Sequence, residues 1–178
     1  IFLDSVNKNK YINRSEVNST NDTDYHFILA ADGRDSSKRK TWGINYIKHL
    51  YKQRCISFRA VLKGLPHKRA YEIFRYEGPL ALLPLKNDIY QVIWFSNESE
   101  TKAKLKLSNK ELLNMLSSIL PEKIKTEVIV GEIANYSVAQ AFALPKFNKF
   151  KNILVGDSAH SFHPVGGQGL NSCIRDVY

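Results

Sequence analysis

Apolar and polar residues alternate in short runs over most of the chain, and the runs are divided by turn-forming residues. QRCISFRAVL (53–62), AYEIFRYEG (70–78), PLALLPL (79–85) and IYQVIWFS (89–96) are rich in β-branched and aromatic side chains. Gly64 and Pro66, Gly78 and Pro79, and Lys86-Asn87-Asp88 separate them, a pattern that predicts an antiparallel meander. YHFILA (25–30) predicts a strand ending at Ala31-Asp32-Gly33, and the polar stretch 11–24 before it predicts a loop between hairpin strands. TEVIVGEI and YSVAQAFAL predict two later strands, followed by a basic link, KFNKFK.

The period changes at Ser108. Ser-x-x-Glu over 108–111 is a capping box, and Leu112, Leu113, Leu116, Ile119 and Leu120 recur at helical spacing before Pro121. Near the other end, the apolar run Asn152–Val155 closes on Gly156 and reads as a buried parallel strand. After Gly169, the spacing of Leu170, Cys173, Ile174 and Val177 is that of an amphipathic helix.

Composition narrows the class. With 178 residues, 43% of them hydrophobic, the chain fits one globular domain's worth of core, and no apolar run approaches the ~20 residues of a membrane-spanning helix. A net charge of +9 raises the possibility of a basic module for nucleic acid or anionic lipid. The lysines are scattered through loops and outer faces, with no nucleic-acid-binding motif, so solvated surface is the preferred reading. Cys55 and Cys173 show no metal or redox spacing, which fits a reducing, cytoplasmic setting. The opening residues have no signal-peptide pattern and no initiating methionine, so the chain reads as a piece of something longer.

The candidate chemistry lies in GDSAHSFHPVGGQGLN, residues 156–171. A strand, a glycine-rich turn and a helix start form a geometry suited to anions or polarised carbonyls, because glycine admits close backbone approach and helix-start amides favour negative charge. The spacing fits neither a phosphate-binding loop with Gly-Lys-Ser/Thr nor Gly-x-Gly-x-x-Gly. Asp157 is placed to meet ligand hydroxyls at the carboxyl end of a parallel strand. A metal site at Asp157, His160 and His163 and a hydrolase triad at Ser158 are the weaker alternatives. Asp32 has a structural alternative as a cap for the turn that follows it.

GDSAHSFHPVGGQGLN with SCIRD, AADGRDSSKR (30–39) and FRYEGPLALLPL (74–85) together resemble the flavin-dependent aromatic hydroxylases of the p-hydroxybenzoate hydroxylase class. Within it they most resemble the 2-polyprenyl-6-methoxyphenol hydroxylase family of quinone biosynthesis, and the Pro-Val-Gly-Gly-Gln-Gly form resembles its cyanobacterial members. The resemblance implies an α+β fold in which a mostly antiparallel substrate-binding sheet with a flanking helix (40–145) is set between two pieces (1–39 and 146–178) of an FAD-binding α/β domain. It implies FAD and NAD(P)H as cofactors, with Gly156, Asp157, Pro164, Gly166, Gly167, Gly169, Leu170 and Asn171 around the flavin. Asp32, Gly33 and Arg39 would lie nearer its pyrophosphate.

The implied reaction transfers one oxygen atom of O2 to a prenylated or other phenolic ring, in an enzyme that is cytoplasmic or peripheral to a membrane. No catalytic base is assigned. FAD-dependent prenyl reductases and halogenases share the architecture and are the competing enzyme readings. The family's N-terminal Gly-x-Gly-x-x-Gly segment and C-terminal helices are not in this chain. The resemblance therefore implies partners in the missing parts of the same protein, and an isolated fragment that binds FAD weakly and is inactive.

Overall fold

A computed structural model of the chain describes residues 7–12, 25–66, 68–148 and 151–178. The segment 13–24, read from sequence as most of a hairpin loop, lies outside them.

The described residues form two sheets. Six strands make the larger one: β2 (Asn45–Lys63), β3 (Tyr71–Ile73), β4 (Leu80–Pro84), β5 (Ile89–Asn97), β6 (Lys125–Leu144) and β9 (His160–Ser161), in the order β3-β4-β5-β2-β6-β9. Every pairing in it is antiparallel. The smaller sheet contains β1 (Ile28–Ala30), β7 (Phe147–Asn148) and β8 (Asn152–Leu154), with β1 and β8 parallel. The helices are α1 (Ser37–Thr41), α2 (Glu98–Lys104), α3 (Asn109–Ile119) and α4 (Gln168–Asp176). Single 3-10 turns at Gly156–Ser158 and Val165–Gly167 complete the architecture, an α+β fold with a curled antiparallel sheet.

Strand periodicity divides the large sheet into two working faces. Tyr90, Val92 and Trp94 of β5 point one way with Ile56, Phe58, Ala60 and Leu62 of β2, and they meet Leu112, Leu113 and Leu116 of α3 in the main core. Cys55 and Phe95, of opposite parity, pack with Val138 on the reverse face. Near residues 55–58, therefore, β2 is covered on both sides, which explains why its sequence shows no clean alternation.

Three elements depart from the sequence reading. β2 begins at Asn45, eight residues before the apolar run, because β6 pairs with this polar stretch (Asn45↔Leu144 to Leu50↔Ala139). The runs read as two strands at 126–144 form the single strand β6, whose register shifts near Gly131 (φ +81°) instead of breaking there. The 70–78 run pairs only over Tyr71–Ile73, leaving Phe74 and Tyr76 exposed.

Helix α2 was invisible to periodicity because ESETKAK has no apolar stripe. It is fixed by its ends, since Asn97 accepts the Glu100 amide at 2.8 Å and buried Thr101 shares a 2.9 Å hydrogen bond with Ser96. In α3 the capping box forms as the sequence indicates: Ser108 Oγ accepts from the Glu111 amide, and the Glu111 carboxylate accepts from the Ser108 amide at 2.8 Å. Replacing this cap by Ser108→Ala is expected to lower stability by about 1 kcal/mol in urea denaturation, with an unchanged m-value.

Candidate functional site

The parallel pairing of β1 with β8 brings two chain segments, over a hundred residues apart in sequence, to one sheet end. Ile28 faces Asn152 and Ala30 faces Leu154, so the turns at Ala31-Asp32-Gly33 and Val155-Gly156-Asp157 leave the carboxyl ends of adjacent strands. A crevice at that end of a parallel sheet is where open α/β folds take ligands. Here it is a cavity of about 540 Å3, bounded by Gly33, Gly156, Asp157, Gly169, Leu170 and Cys173 among others.

Two side chains lock this junction. The buried Ser158 hydroxyl lies 2.6 Å from the Ala30 carbonyl and 2.7 Å from the Val155 carbonyl, and it accepts from the Val155 amide at 3.2 Å. Arg39, 4% exposed, donates to the Ser158 and Arg34 carbonyls, each at 2.7 Å, while its guanidinium lies 3.6 Å from the centre of the Tyr46 ring.

The structure thus places Arg39 as an internal tie, and it is not among the residues lining the cavity. Asp32 is also held by its own segment, accepting from the Lys38 amide at 3.1 Å and the Ser37 hydroxyl at 3.2 Å. Burial alone would raise its pKa. Hydrogen bonds from Ser36, Lys38 and Ser37 outweigh this and hold it below the usual carboxylate range.

Helix α4 starts from Gly167 in the left-handed region (φ +61°), a conformation that glycine adopts without strain. Glycine at the cap has no side chain with which to make a capping hydrogen bond to the first turn. A Cβ built at Gly33, Gly167 or Gly169 would meet nothing within 4 Å, so open space lies against the backbone at all three. At Gly156 (φ +62°) a Cβ would come within 3.2 Å of the Cys173 sulfur, so that glycine serves helix-to-turn packing. Asp157 is exposed into the cavity; Asn171 is exposed in the first turn of α4 and does not line it. Gly166 lies in the 3-10 turn Val165–Gly167.

The loop before α4 reaches the large sheet. The His163 ring accepts the Val165 amide at Nδ1 (3.2 Å), which leaves the proton on Nε2 to be donated to Gln53 Oε1 at 3.2 Å. Tyr51 packs edge-on against this ring, and Phe95 stacks over it. Burial lowers its pKa, favouring the neutral tautomer these contacts need.

Pro164, thereby positioned, borders a second cavity of about 260 Å3 with Arg34, Cys55, Ser57, Phe95 and Phe162. Burial pushes the Cys55 thiol up to about 11, so it is protonated at neutral pH. The sequence-predicted residues therefore divide: Gly33, Gly156, Asp157, Gly169 and Leu170 surround the first cavity, and Pro164 faces the second.

Sequence reasoning missed Asp176, which organises α4. Its carboxylate accepts from the Gly156 amide at 2.7 Å, from His160 Nε2 at 2.7 Å and from Lys146 at 3.2 Å. Burial would raise its pKa, but these donors hold it below the ordinary range. The signal was its position two turns beyond Gly169 on the helix that packs over Gly156. Among the described residues, no group of three or more His, Cys, Asp or Glu is arranged to hold a metal ion.

This geometry agrees with the family comparison. The chain belongs to the FAD binding domain family, which matches residues 4–178. It is 30% identical over 149 residues to an uncharacterized protein of Synechocystis, covering 84% of this chain and 36% of that one. It is 26% identical over 155 residues to the 3-demethoxyubiquinol 3-hydroxylase of Escherichia coli, covering 84% and 38%. The chain therefore spans rather more than a third of the length of these relatives.

In fold it is similar to aklavinone-11 hydroxylase, solved with FAD and aklavinone (TM-score 0.62, 16% identity, 84% of this chain and 29% of that one). It is also similar to the flavin-dependent halogenase CmlS (TM-score 0.61, 18% identity, 84% and 28%).

Two outcomes test the site's construction. Ser158→Ala removes the hydroxyl that bridges the Ala30 and Val155 carbonyls, while the Val155 amide keeps its 3.0 Å bond to the Ala30 carbonyl, and is expected to cost about 1 kcal/mol in urea denaturation. For His163, a folded-state pKa below the unfolded value means that the unfolded chain binds more protons, so stability is lost as pH falls below about 6.5. Melting temperature should drop more steeply between pH 7 and 5.5 in the wild type than in His163→Gln.

Proposed function

We propose that this chain is the central part of an FAD-dependent monooxygenase that hydroxylates a phenolic ring, in an enzyme of prenylquinone biosynthesis. The observation that carries the reading is that one segment, 163–171, borders both cavities: Gly169 and Leu170 face the first, and Pro164 faces the second. A cofactor in the first cavity and a ring in the second would both lie against this one segment. The names of the ubiquinone hydroxylases among the relatives support the substrate class.

The residues of the first cavity fit part of FAD. Open space lies against the backbone of Gly33 and Gly169, and Asp157 offers a carboxylate to ribityl hydroxyls. The glycine-capped start of α4 would turn a positive dipole end to the ring's anionic side. When bound and reduced by NAD(P)H, FAD supplies the oxygen-transfer chemistry with O2.

The chain's own contribution is to bind, orient and exclude water. The second cavity presents aromatic walls, a neutral thiol and the hydroxyl of Ser57. Arg34, the positive group of that lining, favours the anionic form of a phenol, and a phenolate ring is the more electron-rich partner for oxygen transfer.

The remaining features fit the same proposal. Residues 1–39 and 146–178 are read as two pieces of the flavin domain, with the intervening residues as the substrate domain. The apolar stripe of α4 is exposed at Leu170 (72%) and Ile174 (53%), a surface for further parts of the same flavin domain. No helix among the described residues is long and apolar enough to cross a membrane, and Cys55 and Cys173 are free thiols, which supports a reducing compartment such as the cytoplasm.

The full-length protein should purify yellow, and Asp157→Ala should lower its FAD affinity at least tenfold, measured by flavin fluorescence on dilution. With labelled O2, NAD(P)H and a prenylated phenol, label should appear in the ring product. Halide incorporation or reduction of the prenyl chain without ring label would replace hydroxylation by the halogenase or reductase reading.

A further inference from the structure

On the face of the large sheet opposite the cavity at Pro164 lies a separate cavity of about 680 Å3. It exists because two elements stop short. Strand β3 pairs over only three residues, and α3 ends before Pro121, leaving a gap between the sheet edge and the helix end. Tyr71 and Ile73, of the same strand parity, face into the gap, while Leu82, Leu120 and Ile124, all at most 7% exposed, form its floor. The volume is in the range of small-molecule sites, and the walls are mostly apolar, as such sites are.

Besides the neutral Ser118, the charged groups lining it among the described residues have one sign. Arg69 and Lys123 line the cavity, no carboxylate does, and neither cation has an ion-pair partner among the described residues. Their stems can cover apolar surface while their heads stay in water. An apolar slot with two unpaired cations at the rim complements a molecule that is aliphatic along its length and negative at one end. A neutral lipid would gain no attraction from the two solvated cations, and a small inorganic anion would leave the apolar walls wet.

We propose that this cavity binds the carboxylate anion of a single straight aliphatic chain, a fatty-acid-type amphiphile, with its head at Arg69 and Lys123 and its chain along Ile73, Leu82 and Leu120. The site is independent of the flavin reading, since it shares no residue with either cavity described above.

The test is calorimetric titration of the full-length holoprotein with dodecanoate. One saturable site per chain is expected, with affinity rising roughly three- to fourfold per methylene from octanoate to dodecanoate and dodecanol at least tenfold weaker than dodecanoate. The double variant Arg69→Gln/Lys123→Gln touches only exposed rim residues and should bring dodecanoate down to the level of dodecanol with FAD content unchanged. Ile73→Trp, on an edge strand that tolerates aromatic residues, should fill the slot and abolish binding.

Absence of saturable binding would overturn the proposal, as would equal affinity for dodecanol. Insensitivity to the double rim variant would also overturn it, placing the chain in another cavity. Adsorption to phosphatidylglycerol vesicles without one-to-one dodecanoate binding would replace the slot by a membrane-facing surface.

Discussion

The long-range parallel pairing of β1 with β8 is the constraint from which the site follows. Three residues on each strand form it, too few to be stable by themselves, and it is completed by side chains set outside the ladder. The Ser158 hydroxyl reaches the Ala30 carbonyl, and the Arg39 guanidinium reaches the Ser158 carbonyl, across 128 and 119 residues of sequence. The Ala30 carbonyl accepts from the Val155 amide as well, at 3.0 Å, so backbone and side chain together hold the two turns in register, and the buried Arg39 guanidinium would lose a partner if the junction opened. Gly33 and Asp157 face one cavity only because this junction is closed.

The second constraint is the two-sidedness of the large sheet. Residues one position apart on β2 serve different purposes: Ile56 and Phe58 fill the core under α3, whereas Cys55 and Ser57 line the cavity beside Pro164. The loop bearing Pro164 is pinned to that face by His163, whose two ring nitrogens are both engaged, one to its own loop and one to Gln53. Gln53 lies where the β2–β6 register shifts between Leu50 and Arg54, so an irregularity in the ladder is placed where the glycine-rich loop docks.

Electrostatics around α4 reinforce the same arrangement. Asp176 gathers the amide of Gly156, the ring of His160 and the ammonium of Lys146 at one carboxylate, tying the helix's last turn to the turn that begins the cavity. A charged acceptor with three donors tolerates partial burial, as its depressed pKa reflects. The start of α4 at Gly167 has no side-chain cap, while its last turn is held through Asp176.

By itself the sequence determined the elements whose signals are local. The capping box at Ser108, the amphipathic spacing of α3, the β4–β5 hairpin and the strand–glycine turn–helix of 152–176 were legible because each depends on residues a few positions apart. Residue types in 156–171 and 30–39 also pointed to the flavin-dependent class to which the family match assigns the chain.

Only the tertiary structure decided what each motif residue touches. Arg39 and Asp32 stand in a motif beside Gly33, yet their partners are Ser158 and Arg34 for the one and the amide of Lys38 for the other. The first half of β2 and the role of Asp176 were hidden because their stabilising partners are remote in sequence, β6 for Asn45–Leu50 and Gly156 for Asp176, whereas α2, anchored locally by Thr101 on Ser96, was hidden for want of an apolar stripe. Periodicity records which side of an element is buried. The identity of the group on that side is settled only when distant strands pair.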